Sequence, residues 1–212
     1  MIVYRAKEFE IAEARVHPWS VGLADKTHVY VDFKLNPTLI RKTIEDLRPF
    51  QGMPFADEFY SLIEWLNGTD SLLESNDCAF IGAIRNIDLQ FPFNRRCSGR
   101  LMILFREISE NAQPKSVDWL IDEIQNSLRS INPTFISGAV GISRMATIYK
   151  ALSPEPKKGG LGSQVMLSFF AYGKNDTRCY ENMKRVIEST RTSLVKMNRK
   201  LRKGALNALY GE

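Results

Sequence analysis

The residues of this chain best suited to chemistry are its cations, and they crowd the last third. Residues 140–212 hold 14 of the 29 Lys and Arg but only 5 of the 24 Asp and Glu, a net of +9 against −4 for residues 1–139. A basic block on a near-neutral body favours an anionic partner, either nucleic-acid backbone or an acidic protein face. Three stretches supply the candidates. The first is Lys157-Lys158-Gly159-Gly160-Leu161-Gly162-Ser163, where glycines let backbone N–H groups converge on an anion and two lysines add charge. It lacks the Gly-Lys-Ser/Thr ending of a nucleotide-binding loop and precedes a strand where that loop must open a helix. It therefore reads as a charge contact without base specificity. The second is Asn94-Arg95-Arg96 with Arg100, at a hairpin tip beside Phe91 and Phe93. Rings interleaved with arginines stack bases while the guanidinium groups hold phosphates. The third is the set Lys184, Arg185, Arg191, Lys196, Arg199, Lys200, Arg202 and Lys203 near the C-terminus, opposed only by Glu181 and Glu188. The expectation is that these cations converge on one platform. The plain alternative for each stretch is a solvated surface.

Catalytic patterns are weaker. Asp32-Phe33-Lys34 would place an acid and a lysine on one strand face, as in nucleases where carboxylates hold Mg²⁺ and a lysine steadies the attacking water. Asp25 or Glu13 would then be the upstream ligand, and a solvated strand face explains the same spacing. Asp118 and Asp122 share a helix face by their four-residue step, with Glu123 beside them. Asp57, Glu58 and Glu64 lie near another helix, and first-turn acids of this kind complement the helix dipole. The two histidines, His17 and His28, have no nucleophile in a recognisable context. Cys78, Cys97 and Cys179 are far apart and odd in number, so they read as small buried hydrophobes rather than a disulfide framework or zinc site. The sequence points away from an enzyme and predicts no cofactor and no metal.

The elements that must position these residues follow from periodicity. The terminal stretch Thr177–Leu209 carries Met183, Ile187, Thr190, Leu194, Met197 and Leu201 at steps of four and three, the a/d stripe of a long amphipathic helix that is basic elsewhere. Asp176 is its expected cap. That stripe either packs on the protein's own sheet or forms a seam with a second copy, making a homo-oligomer. The pattern weakens at Gly204. Earlier helices are predicted from Asn36-Pro37 to Pro49, over Phe55–Leu66, and over Ser116–Ser130. Strands are predicted within Ile2–Val16, His28–Leu35, Cys78–Phe91, Arg100–Arg106, Thr134–Leu152 and Gln164–Tyr172. Gly138 and Gly141 suggest a bulge or a close backbone approach.

The order is strand, strand, helices, then strand, strand, helix twice over. It implies one α+β domain over residues 1–212, a mainly antiparallel sheet with helices on one face and a long basic C-terminal helix. A chain of 212 residues buries a sizeable core without disulfides. No run approaches ~18 apolar residues and no secretory signal opens the chain, so a cytoplasmic protein without a membrane partner is expected. The functional reading is a non-enzymatic binder of nucleic-acid backbone; a protein–protein module such as an inhibitor, immunity or assembly factor is the alternative, and a metal-dependent nuclease comes third.

Overall fold

The computed structural model of the protein describes residues 1–11, 15–16, 31–88, 90–153 and 159–210. In chain order it contains β1 (Ile2–Arg5), β2 (Arg15–Val16), α1 (Ile40–Thr43), α2 (Pro54–Asn67), β3 (Leu73–Arg85), β4 (Arg95–Phe105), α3 (Pro114–Ser130), β5 (Gly138–Tyr149), β6 (Gly160–Gly173), α4 (Asp176–Arg202) and α5 (Asn207–Tyr210). The sheet runs β1-β5-β6-β4-β3, with β2 also on β5. The pairs β3–β4, β4–β6 and β5–β6 are antiparallel, whereas β1 and β2 lie parallel to β5. The fold is α+β, as the element order implies.

Alternation along the central strands decides which face meets the helices. Leu101, Ile103 and Phe105 of β4 and Val165, Leu167, Phe169 and Ala171 of β6 point to one side and are fully or almost fully buried. They meet Phe59 and Leu62 of α2, Leu120 and Ile124 of α3, and Met183, Ile187 and Leu194 of α4 in one continuous core. Phe59 stands edge-on to Phe169, with ring centroids 5.9 Å apart. The stripe of α4 read from the sequence is therefore buried inside this fold, and a seam between copies on this helix would need another face. Small residues let α4 lie close to its neighbours. Ser189, Thr190 and Ser193 are buried; the first two return their hydroxyls to the carbonyls of Arg185 and Val186, and Ser193 donates to Ile124 O of α3 at 3.5 Å.

The ends of the elements are held by side chains. Asn175, not Asp176, caps α4, accepting from the Arg178 N–H at 2.9 Å. The helix stops at Arg202 rather than Leu209, because Gly204 takes φ +76 and turns the chain back. The tail forms α5, and Tyr210 OH reaches Ser116 Oγ of α3 at 2.8 Å. Arg106, which follows β4 instead of ending it, donates to the carbonyls of Leu66 and Gly68 at the end of α2. Edge strand β3 is covered in the same way. Its N–H groups at Ser75, Phe80 and Ala83 donate to Asn67 Oδ1, Asp46 Oδ2 and Tyr180 OH.

Several boundaries differ from the sequence expectation. The strand expected over His28–Leu35 is not one in the described residues, which begin at Val31: Phe33–Leu35 form a turn. Asp32 Oδ1 accepts from the N–H groups of Lys34 (2.8 Å) and Leu35 (3.3 Å), closing that turn. The segment His28–Tyr30 lies outside the described residues. The helix expected between Asn36 and Pro49 is broken into 3-10 turns at Pro37–Leu39 and Glu45–Phe50 flanking α1. Pro49 lacks an N–H and its ring crowds the carbonyl four residues back, so a regular α-helix is not sustained there. After Arg5 the first segment continues as an irregular edge, through Ala6 N to Ile142 O and Phe9 N to Arg144 O, and rejoins β5 as the short strand β2. The β5–β6 register is unbroken from Gly138 to Tyr149, so the two glycines mark close approach rather than a bulge. A Cβ on Gly138 would lie 2.5 Å from Val186 Cγ2 of α4.

The packing of α4 predicts a contrast within one turn. Leu194→Ala should cost about 2–5 kcal/mol by urea denaturation, whereas Thr192→Ala on the exposed side should stay within about 0.5 kcal/mol of the parent.

Candidate nucleic-acid interface

The other side of the sheet carries no α-helix among the described residues, yet only part of it is exposed, because Met102, Leu104, Ser143, Met145 and Gln164 on this side are buried. On β4 the residues between the core positions are Arg96, Ser98 and Arg100; on β6 they are Ser168, Phe170 and Tyr172. The register sets them in rows across the strands. Arg96 pairs with Tyr172 and Ile84, Ser98 with Phe170 and Ile81, and Arg100 with Ser168 and Ala79. β5 extends the last two rows with Ala139 and Gly141, and β1 completes them with Ile2 and Tyr4. Tyr4 lies across Gly141: a Cβ on that glycine would sit 3.0 Å from the Tyr4 Cζ and OH. A side chain there would crowd the ring and force it to shift. Tyr4 is 40% exposed, and Phe170, Arg96 and Arg100 are half-buried.

The β3–β4 loop closes one end of this face. Asn86 organises it, donating through Nδ2 to the carbonyls of Asp88, Phe91 and Phe93 at 3.0–3.2 Å and accepting from the Asp88 N–H. The loop thereby lays the Phe91 ring on Tyr172, centroids 4.0 Å apart and planes within 7°. Phe93 sits farther along the same ring at 6.1 Å. Both phenylalanines are engaged in holding the loop. Burial pushes the Tyr172 hydroxyl up to about 12, the Asp88 carboxylate adds to the rise, and Arg96 opposes it. The Tyr4 hydroxyl is raised by burial and by Asp88. Both phenols are thus neutral donors near pH 7.

The predicted cations separate onto two surfaces. Arg95 points to the helix side, where Nε and Nη2 reach the two carboxylate oxygens of Asp176 at 2.5 and 3.2 Å and hold that carboxyl below its usual range. Arg96 and Arg100 stand on the side away from the helices, both half-buried. Arg100 Nη2 lies 3.3 Å from Asp77 Oδ2, Arg96 has no carboxylate within 4 Å among the described residues, and the Nε of each has no acceptor. The α4 cations occupy the outer stripe of the opposite, helical layer. Four of them meet acids: Lys184 with Glu188 (3.0 Å), Arg191 with Glu58 (3.1 Å), Lys200 with Glu123 (2.5 Å) and Arg202 with Asp70 (4.0 Å). Arg185 lies over the Phe135 ring at 4.1 Å. Lys196, Arg199 and Lys203 have no carboxylate partner among the described residues. Lys157 and Lys158 lie outside the described residues. A single platform is not formed by the described cations, because β4 and α4 present them on opposite sides of the sheet. Exposed ion pairs are worth about 0–1 kcal/mol each, so a phosphate competes for the paired cations at modest cost.

The weaker catalytic patterns come apart. Asp32 and Lys34 do not share a strand face: Asp32 closes its turn, and Lys34 Nζ lies 2.5 Å from the buried Glu74 Oε2. Asp25, Glu13, His17 and His28 lie outside the described residues. Asp118 binds Arg5 and Arg144, Asp122 binds Arg5, and Asp57 and Glu64 share Arg41. These carboxylates neutralise cations, and no group of three or more His, Cys, Asp or Glu among the described residues is arranged to hold a metal ion. Cys97 and Cys179, both buried, bring their sulfurs to 3.2 Å from opposite sides of the β4–α4 contact.

Sequence reading missed Tyr4, Ser98, Ser168 and Phe170 as members of a surface. The available signal was alternation: in Ser98-Gly99-Arg100 and Ser168-Phe169-Phe170 a polar or second aromatic residue repeats on the side away from the core. No family model, curated protein or solved structure matches the chain.

The environment of Tyr172 predicts its titration. The native hydroxyl should ionise near 12, later than the roughly 10 of an unfolded tyrosine. Between these values the unfolded chain releases its proton first, so this group's contribution to stability falls as pH rises. Phenolate absorbance should lose that step in Tyr172→Phe; an unchanged titration curve would contradict the placement of the ring.

Proposed function

We propose that this protein is a non-enzymatic binder of nucleic-acid backbone. The observation that supports it is the set of cations without an internal carboxylate among the described residues. Lys196, Arg199 and Lys203 project from the last turns of α4, with Lys200 and Arg202 between them, so five of the eight residues 196–203 are cationic. On the other side of the sheet, Arg96 adds a further cation with no carboxylate partner among the described residues. Phosphates that replace counterions on such a surface gain affinity without base contacts.

An acidic protein is the second reading. Ile84 and Ile87, 42% and 78% exposed at the hairpin tip beside Arg96, favour it, because an apolar margin around arginine is common at protein interfaces.

Fluorescence anisotropy with a labelled mixed-sequence oligonucleotide, titrated between about 50 and 200 mM salt, tests the first reading. Log affinity should fall linearly with log salt. The triple variant Lys196→Ala/Arg199→Ala/Lys203→Ala should bind more weakly and lower the magnitude of the slope by about 2–3. An affinity that ignores salt, or no binding at the lowest salt, overturns the reading. Equal binding of polyglutamate moves it to an acidic protein.

A further inference from the structure

The exposed part of the sheet face away from the helices has features that backbone binding does not require. Two aromatic rings, Tyr4 and Phe170, stand on it at neighbouring rows, separated by the small residues Ala139, Gly141 and Ser168. Arg96 and Arg100 flank Ser98 on the adjoining strand, about 13 Å apart along β4. Each guanidinium buries an Nε that has no acceptor among the described residues, which leaves the Nη groups to meet a ligand. Asp77, on the same face, is engaged by Arg100, and the Asp88 carboxylate acts on Tyr4 and Tyr172. The exposed part of this face is therefore positive on β4 and aromatic on β6 and β1, while Ala139 and Gly141 between the rings are buried.

We propose that this face binds single-stranded nucleic acid, with bases stacked on Tyr4 and Phe170 and the backbone held by Arg96 and Arg100. The proposal rests on the nucleic-acid reading above and names the form of nucleic acid recognised. A duplex keeps its bases stacked on one another and offers this face only phosphates, so it gains nothing from the two rings. A single strand offers bases that can leave their own stack for an aromatic ring, and every base has a π-face for it. Ser168 lies between Arg100 and Tyr4 in its row, and Ser98 lies between the two arginines beside Phe170, where their hydroxyls can bond base edges. Gly141 is the residue that makes the platform possible, because its missing side chain lets the Tyr4 ring lie down on β5.

The test compares an oligonucleotide of about 12 residues as a single strand and as a duplex, by anisotropy at one fixed salt. Wild type, Tyr4→Leu, Phe170→Leu, Tyr4→Phe and Gly141→Ala are measured, with circular dichroism confirming each fold. Wild type should bind the single strand more tightly than the duplex. Tyr4→Leu and Phe170→Leu should each weaken single-strand binding by about 5- to 150-fold and leave duplex binding unchanged. Tyr4→Phe should retain affinity, and Gly141→Ala, which shifts the ring without altering its chemistry, should weaken it. Equal binding of the two forms, with neutral ring variants, overturns the single-strand proposal and leaves backbone binding standing. Failure of both forms to bind removes both readings. Polyglutamate displacing the single strand at equal charge overturns the proposal in favour of a protein partner.

Discussion

The structure depends on the contact between the apolar stripe of α4 and the inward face of β4 and β6. A sheet whose strands alternate must cover one side, and α4 is the helix long enough to lie along that side at its centre. Met183, Ile187, Leu194 and Met197 fill the space over Leu101, Leu167 and Phe169. The buried hydroxyls of Ser189, Thr190 and Ser193 keep the helix close where larger side chains would push it away. Flanking helices α2 and α3 then complete a single layer. Because that layer takes one face only, every second residue of the strands is left for the other side, and the row of arginines, serines and rings is a by-product of the same alternation.

Charge follows packing. Once α4 lies between α2 and α3, its lateral cations face acids from those helices, as Arg191 faces Glu58 and Lys200 faces Glu123. The acidic first part of the chain and the basic last part are thereby partly matched inside one molecule. Cations that point straight outward, at Lys196, Arg199 and Lys203, escape this matching through their angular position on the helix alone.

Local periodicity made much of the fold legible. The stripe of α4, the apolar positions of α3 from Val117 to Leu128, and the hairpin of β3 and β4 all rest on contacts within a few residues or on simple alternation. Readings that relied on a single local signal did less well. Alternation at Val31, Phe33 and Leu35 suggested a strand, but the Asp32 carboxylate closes a turn there. Leu39, Ile40, Ile44 and Leu47 suggested one helix, which Pro49 does not allow to continue. The candidate site was legible only in pieces. Arg96 and Arg100 were visible as a basic tip, yet their partners on the face come from β1, β5 and β6. The contact of Tyr4 with Gly141 joins residues far apart in the chain, and the parallel seating of β1 on β5 that creates it leaves no mark in either segment. The division of cations between two sides of the sheet was hidden for the same reason, since strand parity and helix azimuth are fixed only after the layers assemble.

The side chains along the outer margin of β3 have a consequence for how copies of this protein meet. A long border strand ordinarily offers unmatched amide hydrogens that another polypeptide can zip onto. Here Asn67, Asp46 and Tyr180 already occupy the hydrogens at Ser75, Phe80 and Ala83. An incoming strand would have to evict three neighbours from three different segments before the first rung of a shared ladder formed, so at these points the margin is sealed against runaway growth into fibrils.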